Sequence, residues 1–353
     1  MTLEATETRA ADEFAGDQPR YPGNLRRYWH PIARSEEVTD SPKRLILLEE
    51  PLVAFRFEGK VSVFKDLCIH RGSALSLGSV TKEGHIRCPY HGWEYDGSGA
   101  CVRIPAKADG SPIPRTARAF AYKAEERYGV VWVAMDDPVF PIPSFPGGEY
   151  DDPEWRTFFA FYETWATSAG RILENFCDWS HIPFVHGGIL GSEDIPRPQI
   201  DPSPVWEKET EEGFTLGYSY EQIDQSDLYG KGGTLSVRRD FVVYLPFMSH
   251  LYKSTPDGHR SLLSMAVCPH SPRESTLFLW IARNHSFDVP DDDFRQLSVD
   301  VFAQDARVVQ SQRPEEIPLD LKEELHIKVP DAFSVEYRRV LQKIGEITPF
   351  LPY

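Results

Sequence analysis

Two short blocks, Cys68-Ile69-His70-Arg71-Gly72 and Cys88-Pro89-Tyr90-His91-Gly92-Trp93, constrain this chain more than any other feature. Each offers one thiolate and one imidazole, in the pattern C-x-H, seventeen residues, then C-x-x-H. A fold that uses them must bring two loop tips together around one group. Two Cys for one iron and two His for the other is the ligation of a mixed [2Fe–2S] centre. Its neutral imidazoles raise the reduction potential above that of an all-Cys cluster. A Cys2His2 zinc site is the competing reading. Zinc sites pair Cys with Cys and His with His, whereas both blocks here mix the two. Gly72 and Gly92, just after the histidines, are expected where backbone wraps a cluster and its N–H groups reach sulfur.

Composition narrows the surroundings. A chain of 353 residues has room for two domains with real cores. A net charge of -16 argues against a general nucleic-acid binder and against an anionic membrane surface. Between Val61 and Lys107, however, Lys65, Arg71, Lys82, Arg87, Arg103 and Lys107 outnumber Asp66, Glu83, Glu94 and Asp96. Such a rim would suit an acidic electron donor, or simply be a solvated mixed surface. Cys101, Cys177 and Cys268 remain outside the ligand blocks, an odd and scattered set that reads as reduced, partly buried thiols of a cytoplasmic protein. No apolar run is long enough to span a membrane. The first twenty residues lack the apolar stretch of a secretory signal and read as a disordered arm, residues 1–20.

The region from 21 to 145 reads as β. Runs at 44–48, 52–57, 61–64 and 129–135 are separated by turn signals such as Glu58-Gly59-Lys60, with the ligand blocks at loop tips. A proline-rich stretch from Pro138 to Pro153 is the connector. Residues 146–353 form a second domain. Strands are expected at 158–165, 214–220, 234–244, 261–268 and 275–282. One helix should follow Thr167 or Ser168 as its N-cap, and another should run over 294–312 after an aspartate-rich loop. The class is α+β: an all-β domain, then an antiparallel sheet flanked by helices.

The helix after Ser168 carries a second constellation. Asn175, Asp178 and His181 are spaced by three and would share one face. His181 and His186 are five apart, about 140° on a regular helix. Pro183 between them removes a helical N–H, and a break there would bring the rings together. Two His and one carboxylate form the facial triad of non-haem Fe(II) sites, with open positions for O2 and substrate. The C-terminal helix offers Asp300 and Asp305 as the carboxylate, and the residues alone do not choose between them. Paired structural histidines are the bland alternative.

In this order the two constellations resemble the α (terminal oxygenase) subunit of a Rieske non-haem iron oxygenase, of the compact α-only kind that includes phthalate dioxygenase and vanillate O-demethylase. The resemblance runs from about Tyr21 to the C-terminal helix and rests on the two ligand blocks and on Asn175-x-x-Asp178-x-x-His181-x4-His186. It implies an N-terminal Rieske domain (21–145), with its [2Fe-2S] cluster on Cys68, His70, Cys88 and His91, and a catalytic domain (146–353). There His181, His186 and Asp305 would hold mononuclear Fe(II). The resemblance prefers Asp305 to Asp300 because the family's carboxylate precedes a short apolar pair and a Gln-containing turn, as Asp305 does. Gln310 departs from the Glu that many members carry.

The resemblance further implies a head-to-tail homotrimer, in which Asp178 bridges His91 of one chain to His181 of the next, with Asn175 close to the iron. Electrons would come from NAD(P)H through a reductase or ferredoxin. O2 and a small aromatic or cyclic substrate would meet at the iron, giving monohydroxylation or O-/N-demethylation, with cis-dihydroxylation as an alternative. A Rieske electron carrier without oxygenase activity is the rival of another class. Its respiratory form carries an extra Cys in each ligand loop, and these loops hold only Cys68 and Cys88. A binding protein with a degenerate iron site would need a missing ligand, and none is missing. The pocket is expected between sheet and helices. The stretches 242–248 and 277–281 are candidate walls, or ordinary core strands.

Overall fold

The computed structural model describes residues 25–108, 111–224 and 235–346. The arm at 1–20, the domain start at Tyr21 and the strand start at Thr234 lie outside the described residues. Ten strands come first: β1 (His30–Arg34), β2 (Lys43–Leu47), β3 (Glu50–Phe57), β4 (Lys60–Lys65), β5 (Ser79–Val80), β6 (Ile86–Arg87), β7 (Glu94–Tyr95), β8 (Cys101–Arg103), β9 (Ala121–Arg127) and β10 (Val130–Ala134). Six of them pair in the order β1-β10-β9-β4-β3-β2, and β5-β6-β7-β8 make a separate small sheet. The apolar run of β3 serves two cores. Leu52 and Ala54 face the core shared with the second domain, while Val53 and Phe55 face a small core beneath Cys68 and Cys88. Two-residue turns at Leu48-Glu49, Glu58-Gly59 and Tyr128-Gly129 all hold positive φ, the twist that tight hairpins need.

The second half contains β11 (Arg156–Trp165), α1 (Ala169–Phe176), α2 (Ile182–Val185), β12 (Trp206–Thr210), β13 (Gly213–Asp224), β14 (Leu235–Tyr244), β15 (Met248–Ser254), β16 (Arg260–Ser271), β17 (Glu274–Arg283), α3 (Asp291–Val309) and α4 (Ala332–Glu346). Its strands form one antiparallel sheet in the order β11-β17-β16-β15-β14-β13-β12. Strand β15 escaped the sequence pattern because Ser249 and His250 interrupt it, although both are buried. Helix α3 starts at Asp291, not Phe294, because the aspartate run forms its first turn, where negative charge meets the helix N-terminus. Helix α4 was not anticipated from the sequence. It sends Phe333, Tyr337, Val340 and Leu341 into the core.

Strand β17 explains the layering. Leu277, Leu279 and Ile281 face the helices, while Phe278, Trp280 and Ala282 face the first domain. Helices therefore cover one face of the sheet, and the N-terminal domain covers the other. Trp132 stacks on Trp280 at 6.2 Å, and Trp280 Nε1 donates to Tyr128 O at 2.8 Å. Leu48 and Glu49, in the β2–β3 turn, donate their N–H groups to Pro269 O and His270 O at 2.9 and 2.7 Å.

A buried ion pair anchors α1, which leads into the His pair. Arg338 on α4, 2% exposed, donates from Nε and one terminal nitrogen to the two Glu174 oxygens at 2.8 and 2.9 Å. Glu324 accepts from both Arg338 and Arg171, at 2.7 and 2.6 Å. Truncating one member strands a buried charge. Arg338→Ala should therefore lower the unfolding free energy of the second domain by roughly 3–5 kcal/mol, measured by urea titration. A loss below 1 kcal/mol would show the network to be dispensable.

Candidate functional site

The two ligand blocks fold as matching loops. In each, the Cys carbonyl accepts the N–H of the residue four later, Gly72 at 2.9 Å and Gly92 at 3.1 Å. The Cys N–H donates to the residue five later, Ser73 O and Trp93 O, at 2.8 Å each. Gly72 and Gly92 sit at φ +70 and +67, the left-handed region that favours glycine. Their N–H groups close the loops onto the Cys carbonyls.

At the tips, the His70 and His91 rings lie 4.5 Å apart, and Trp93 stacks on His70 at 4.6 Å. Cys68 and Cys88 are buried beneath them, and His91 is exposed. His70 Nδ1 is buried without any hydrogen-bond partner. An orphaned nitrogen above two buried thiols fits an iron–sulfur cluster, since an imidazole nitrogen left bare is otherwise costly. Burial pushes the Cys68 thiol above its ordinary pKa, so thiolate ligation relies on the charge of bound iron. Tyr95, which carried no sequence signal, places its hydroxyl 3.1 Å from Cys68 Sγ. The basic rim is partly neutralised, because Arg87 and Arg103 both donate to Glu94 Oε1, at 2.9 and 2.8 Å.

In the catalytic domain α1 ends at Phe176, with Ser168 as its N-cap accepting from Arg171 N. The break falls at 177–180, ahead of Pro183, so Asn175, Asp178 and His181 do not share one helix face. The break is built by Asp178. Its Oδ1 accepts the Ser180 N–H and hydroxyl, each at 2.8 Å, and its Oδ2 accepts the His181 N–H at 3.2 Å. Pro183 then sits in the first turn of α2, where its missing N–H is not needed. His181 caps the start of that short helix and His186 its end, leaving their rings 5.2 Å apart.

Asp305, on α3 and 6% exposed, completes the group. Its Oδ1 lies 3.4 Å from His181 Nε2 and 3.1 Å from His186 Nε2, and one atom of each of the three residues lies within 4.8 Å of the others. Asp300 is exposed and accepts from Gln296 at 2.9 Å, away from this group. The far nitrogens of both rings are engaged: His181 Nδ1 faces Asp178 Oδ2 at 3.1 Å, and His186 Nδ1 faces Gln304 Oε1 at 2.8 Å. With Nδ1–H donating outward, each Nε2 keeps a lone pair aimed inward, as metal ligation requires. Burial opposes ionisation of Asp178, but the His181 hydrogen bond and charge, with the Ser180 donors, hold its carboxyl below the ordinary pKa. Asn175 Nδ2 reaches Asp305 Oδ1 at 3.4 Å. Gln310 stands apart, accepting the Ala166 N–H at 2.8 Å. Sequence reasoning missed Gln304, because its partner lies 118 positions away and no spacing connects them.

The residues present fit both groups: a mixed Cys/His cradle for a [2Fe–2S] cluster and a two-His, one-carboxylate face for iron. Together they define an oxygenase fed by an electron-transfer domain. The chain belongs to the Rieske non-haem iron oxygenases, as a terminal oxygenase α subunit. It matches the Rieske [2Fe-2S] domain over residues 28–122 and the vanillate O-demethylase oxygenase C-terminal domain over 165–346. Methylxanthine N1-demethylase NdmA of Pseudomonas putida is 31% identical over 333 residues, covering 91% of this chain and 90% of that protein. The structure of NdmA with caffeine superposes with a TM-score of 0.77 at 31% identity, over 92% of each chain. Dicamba monooxygenase shares the fold, with a TM-score of 0.74 at 22% identity over 92% of this chain and 98% of that one. Among the described residues no helix is long and apolar enough to cross a membrane.

Two outcomes test the local chemistry. Gln304→Leu should weaken mononuclear metal binding ~10–100-fold by freeing the His186 ring and leave the Rieske spectrum unchanged, as read by metal titration. Tyr95→Phe removes a donor that favours the more negative, reduced cluster. Its potential should fall by on the order of tens of millivolts in a redox titration.

Proposed function

We propose that Cys68, His70, Cys88 and His91 hold the Rieske cluster and that His181, His186 and Asp305 hold the catalytic iron. The observation that carries this reading is the convergence of the three ligands, with both outer histidine nitrogens already committed to Asp178 and Gln304. When bound, the two iron groups supply electron transfer and O2 activation. The chain's own residues do the rest. Asp178 and Gln304 orient the imidazoles. Asp305 would supply the single anionic ligand. Phe176 and Phe302, whose rings lie 6.0 Å apart, belong to the neighbouring apolar core.

The reaction best supported is removal of an N- or O-linked methyl group, or monohydroxylation, of a small cyclic substrate. In demethylation O2, two electrons and two protons give the demethylated product, formaldehyde and water. The N-demethylase relatives support it, and so does the catalytic half, which matches the vanillate O-demethylase type.

The working unit we infer is a head-to-tail homotrimer. His91 and Tyr90 project at the surface, Tyr90 62% exposed, while the Asp178 carboxylate keeps 25% of its side-chain surface open. This leaves both ends of a His91–Asp178–His181 path open to a neighbouring copy. A reductase or ferredoxin would deliver electrons from NAD(P)H to the exposed cluster tip. Cys101, Cys177 and Cys268, the thiols outside the cluster blocks, are all buried, which suits a reducing cytoplasm. The domain division at 145/146 belongs to the same reading.

Iron analysis of fully loaded protein should give three irons per chain, where a carrier holds two. Asp178→Asn should keep all three yet lose turnover, followed as formaldehyde released with NADH and reductase. Normal turnover in that variant would remove Asp178 from the electron path.

A further inference from the structure

The loop that joins α1 to α2 carries one further side chain of distinctive chemistry. Trp179 lies between Asp178 and His181, inside the turn that the Asp178 carboxylate builds. It packs into the core on the helix side of the sheet and keeps 7% of its surface open. Its ring lies 6.4 Å from Tyr220 on β13. Tyr220 stacks on Tyr218 at 5.9 Å and 11°, and Tyr218 stacks on Phe241 at 5.1 Å and 6°. The same core takes up Phe176, Phe302 and Phe333, so filling its volume does not require rings that lose electrons easily.

Two contacts tie these rings to the ligand loop. Asp178, the residue before Trp179, holds His181 at its backbone N–H and its Nδ1, at 3.2 and 3.1 Å. Tyr218 donates its hydroxyl to Cys177 O, one residue before Asp178. Trp179 therefore reaches the His181 ring through one peptide unit, one carboxylate side chain and one hydrogen bond. That route is shorter than the one from Tyr218, which must first cross to the Cys177 carbonyl.

The proton decides which ring can give up an electron. A phenol that loses an electron becomes strongly acidic, so a tyrosine is readily oxidised only where its proton has a base to go to. The Tyr218 hydroxyl donates to a backbone carbonyl, which accepts a hydrogen bond but cannot keep a proton. Burial holds that phenol protonated, well above its ordinary pKa. An indole, in contrast, can lose an electron and retain its N–H. Trp179 is also more open to solvent than Tyr218, at 3%, or Tyr220, at 2%. Chemistry and position therefore both favour the tryptophan as the electron source nearest His181.

We propose that Trp179 is a protective electron donor to the iron centre, used when O2 is activated with no substrate bound. This inference rests on the oxygenase reading above. O2 with two electrons and two protons has the composition of hydrogen peroxide. Two further electrons and two protons complete its conversion to two molecules of water, with the O–O bond broken and four O–H bonds made. One of those electrons comes from the ferrous iron and the other from the Trp179 indole, and the protons come from water. Trp179 is left as a one-electron-oxidised ring, and the donor chain that serves the oxygenase refills it. No bond of the protein is broken, and His181, His186 and Asp305 escape oxidation.

The test follows a radical and not turnover. Fully loaded protein with ferrous iron and an oxidised cluster, so that nothing refills the indole, is mixed with hydrogen peroxide without substrate and freeze-quenched for EPR. An organic radical should appear, and ring-deuterated tryptophan should change its hyperfine pattern. Trp179→Phe should lose that signal and show more oxidation of His181 and His186 in peptide maps than the wild type. Maps of the unsubstituted protein should place oxidised tryptophan at Trp179 among the eight of the chain, which keeps the proposal testable if Trp179→Phe fails to fold. Rieske spectrum and iron content verify folding and loading. No radical, a radical that survives Trp179→Phe, or oxidation mapped to other tryptophans overturns the proposal. Asp305→Ala, with the cluster intact, should form no indole radical. An equal radical there counts against the iron assignment, and the proposal falls with it. Peroxide consumed by the loaded protein but not by Asp305→Ala, with no indole radical, strikes Trp179 alone and leaves the oxygenase reading standing.

Discussion

The Asp178 carboxylate organises the turn that brings His181 and His186 together. Its four contacts, two to Ser180 and two to His181, stop α1, start α2 and fix the tilt of one imidazole. Histidines five apart cannot share a ligand on an uninterrupted helix. They meet here because the chain turns through a carboxylate-stabilised loop and leaves one helical turn between them. The same group is a backbone cap, a second partner for a ligand and a charged surface feature. A neutral substitution therefore separates these roles better than a truncation would.

The two proposed metal sites follow opposite designs. At the cluster the backbone does the arranging: matched loops with left-handed glycines present side chains that are otherwise bare, and His70 Nδ1 is left without a partner. At the catalytic centre side chains do the arranging, and both outer nitrogens are taken. The difference suits the tasks. A cluster held at an exposed tip must be reached by a partner. A buried iron face must hold its geometry while substrate and O2 come and go.

Much of this was legible in the sequence because the chemistry is local. The four candidate cluster ligands lie within 24 residues and the two histidines within six, and β2, β3, β4, β10, β11, β13, β14, β16 and β17 show as apolar or alternating runs. Two kinds of feature were hidden. One is the long-range polar partner: Gln304, Tyr95 and the Glu174–Arg338 pair connect residues with no spacing relation. The other is local competition. Pro183 drew the helix break toward itself, whereas Asp178 had already ended the helix by offering the backbone a better acceptor. The aspartates at 291–293 read as loop because charge suggests solvent, yet a helix N-terminus is where such charge is stabilising.

The seam between the domains has a consequence of its own. Much of its hydrogen bonding comes from the main chain, through the N–H groups of Leu48 and Glu49 and the carbonyl of Tyr128. Main-chain atoms are the same whatever side chain a position carries. A seam of this kind holds its geometry while the residues around it are exchanged over evolutionary time. The relative orientation of the domains can then outlast most of the sequence, as in a neighbour that retains a TM-score of 0.74 at only 22% identity. The helix side of the sheet, where the histidine pair lies, can then be redrafted while the N-terminal domain stays in place on the other.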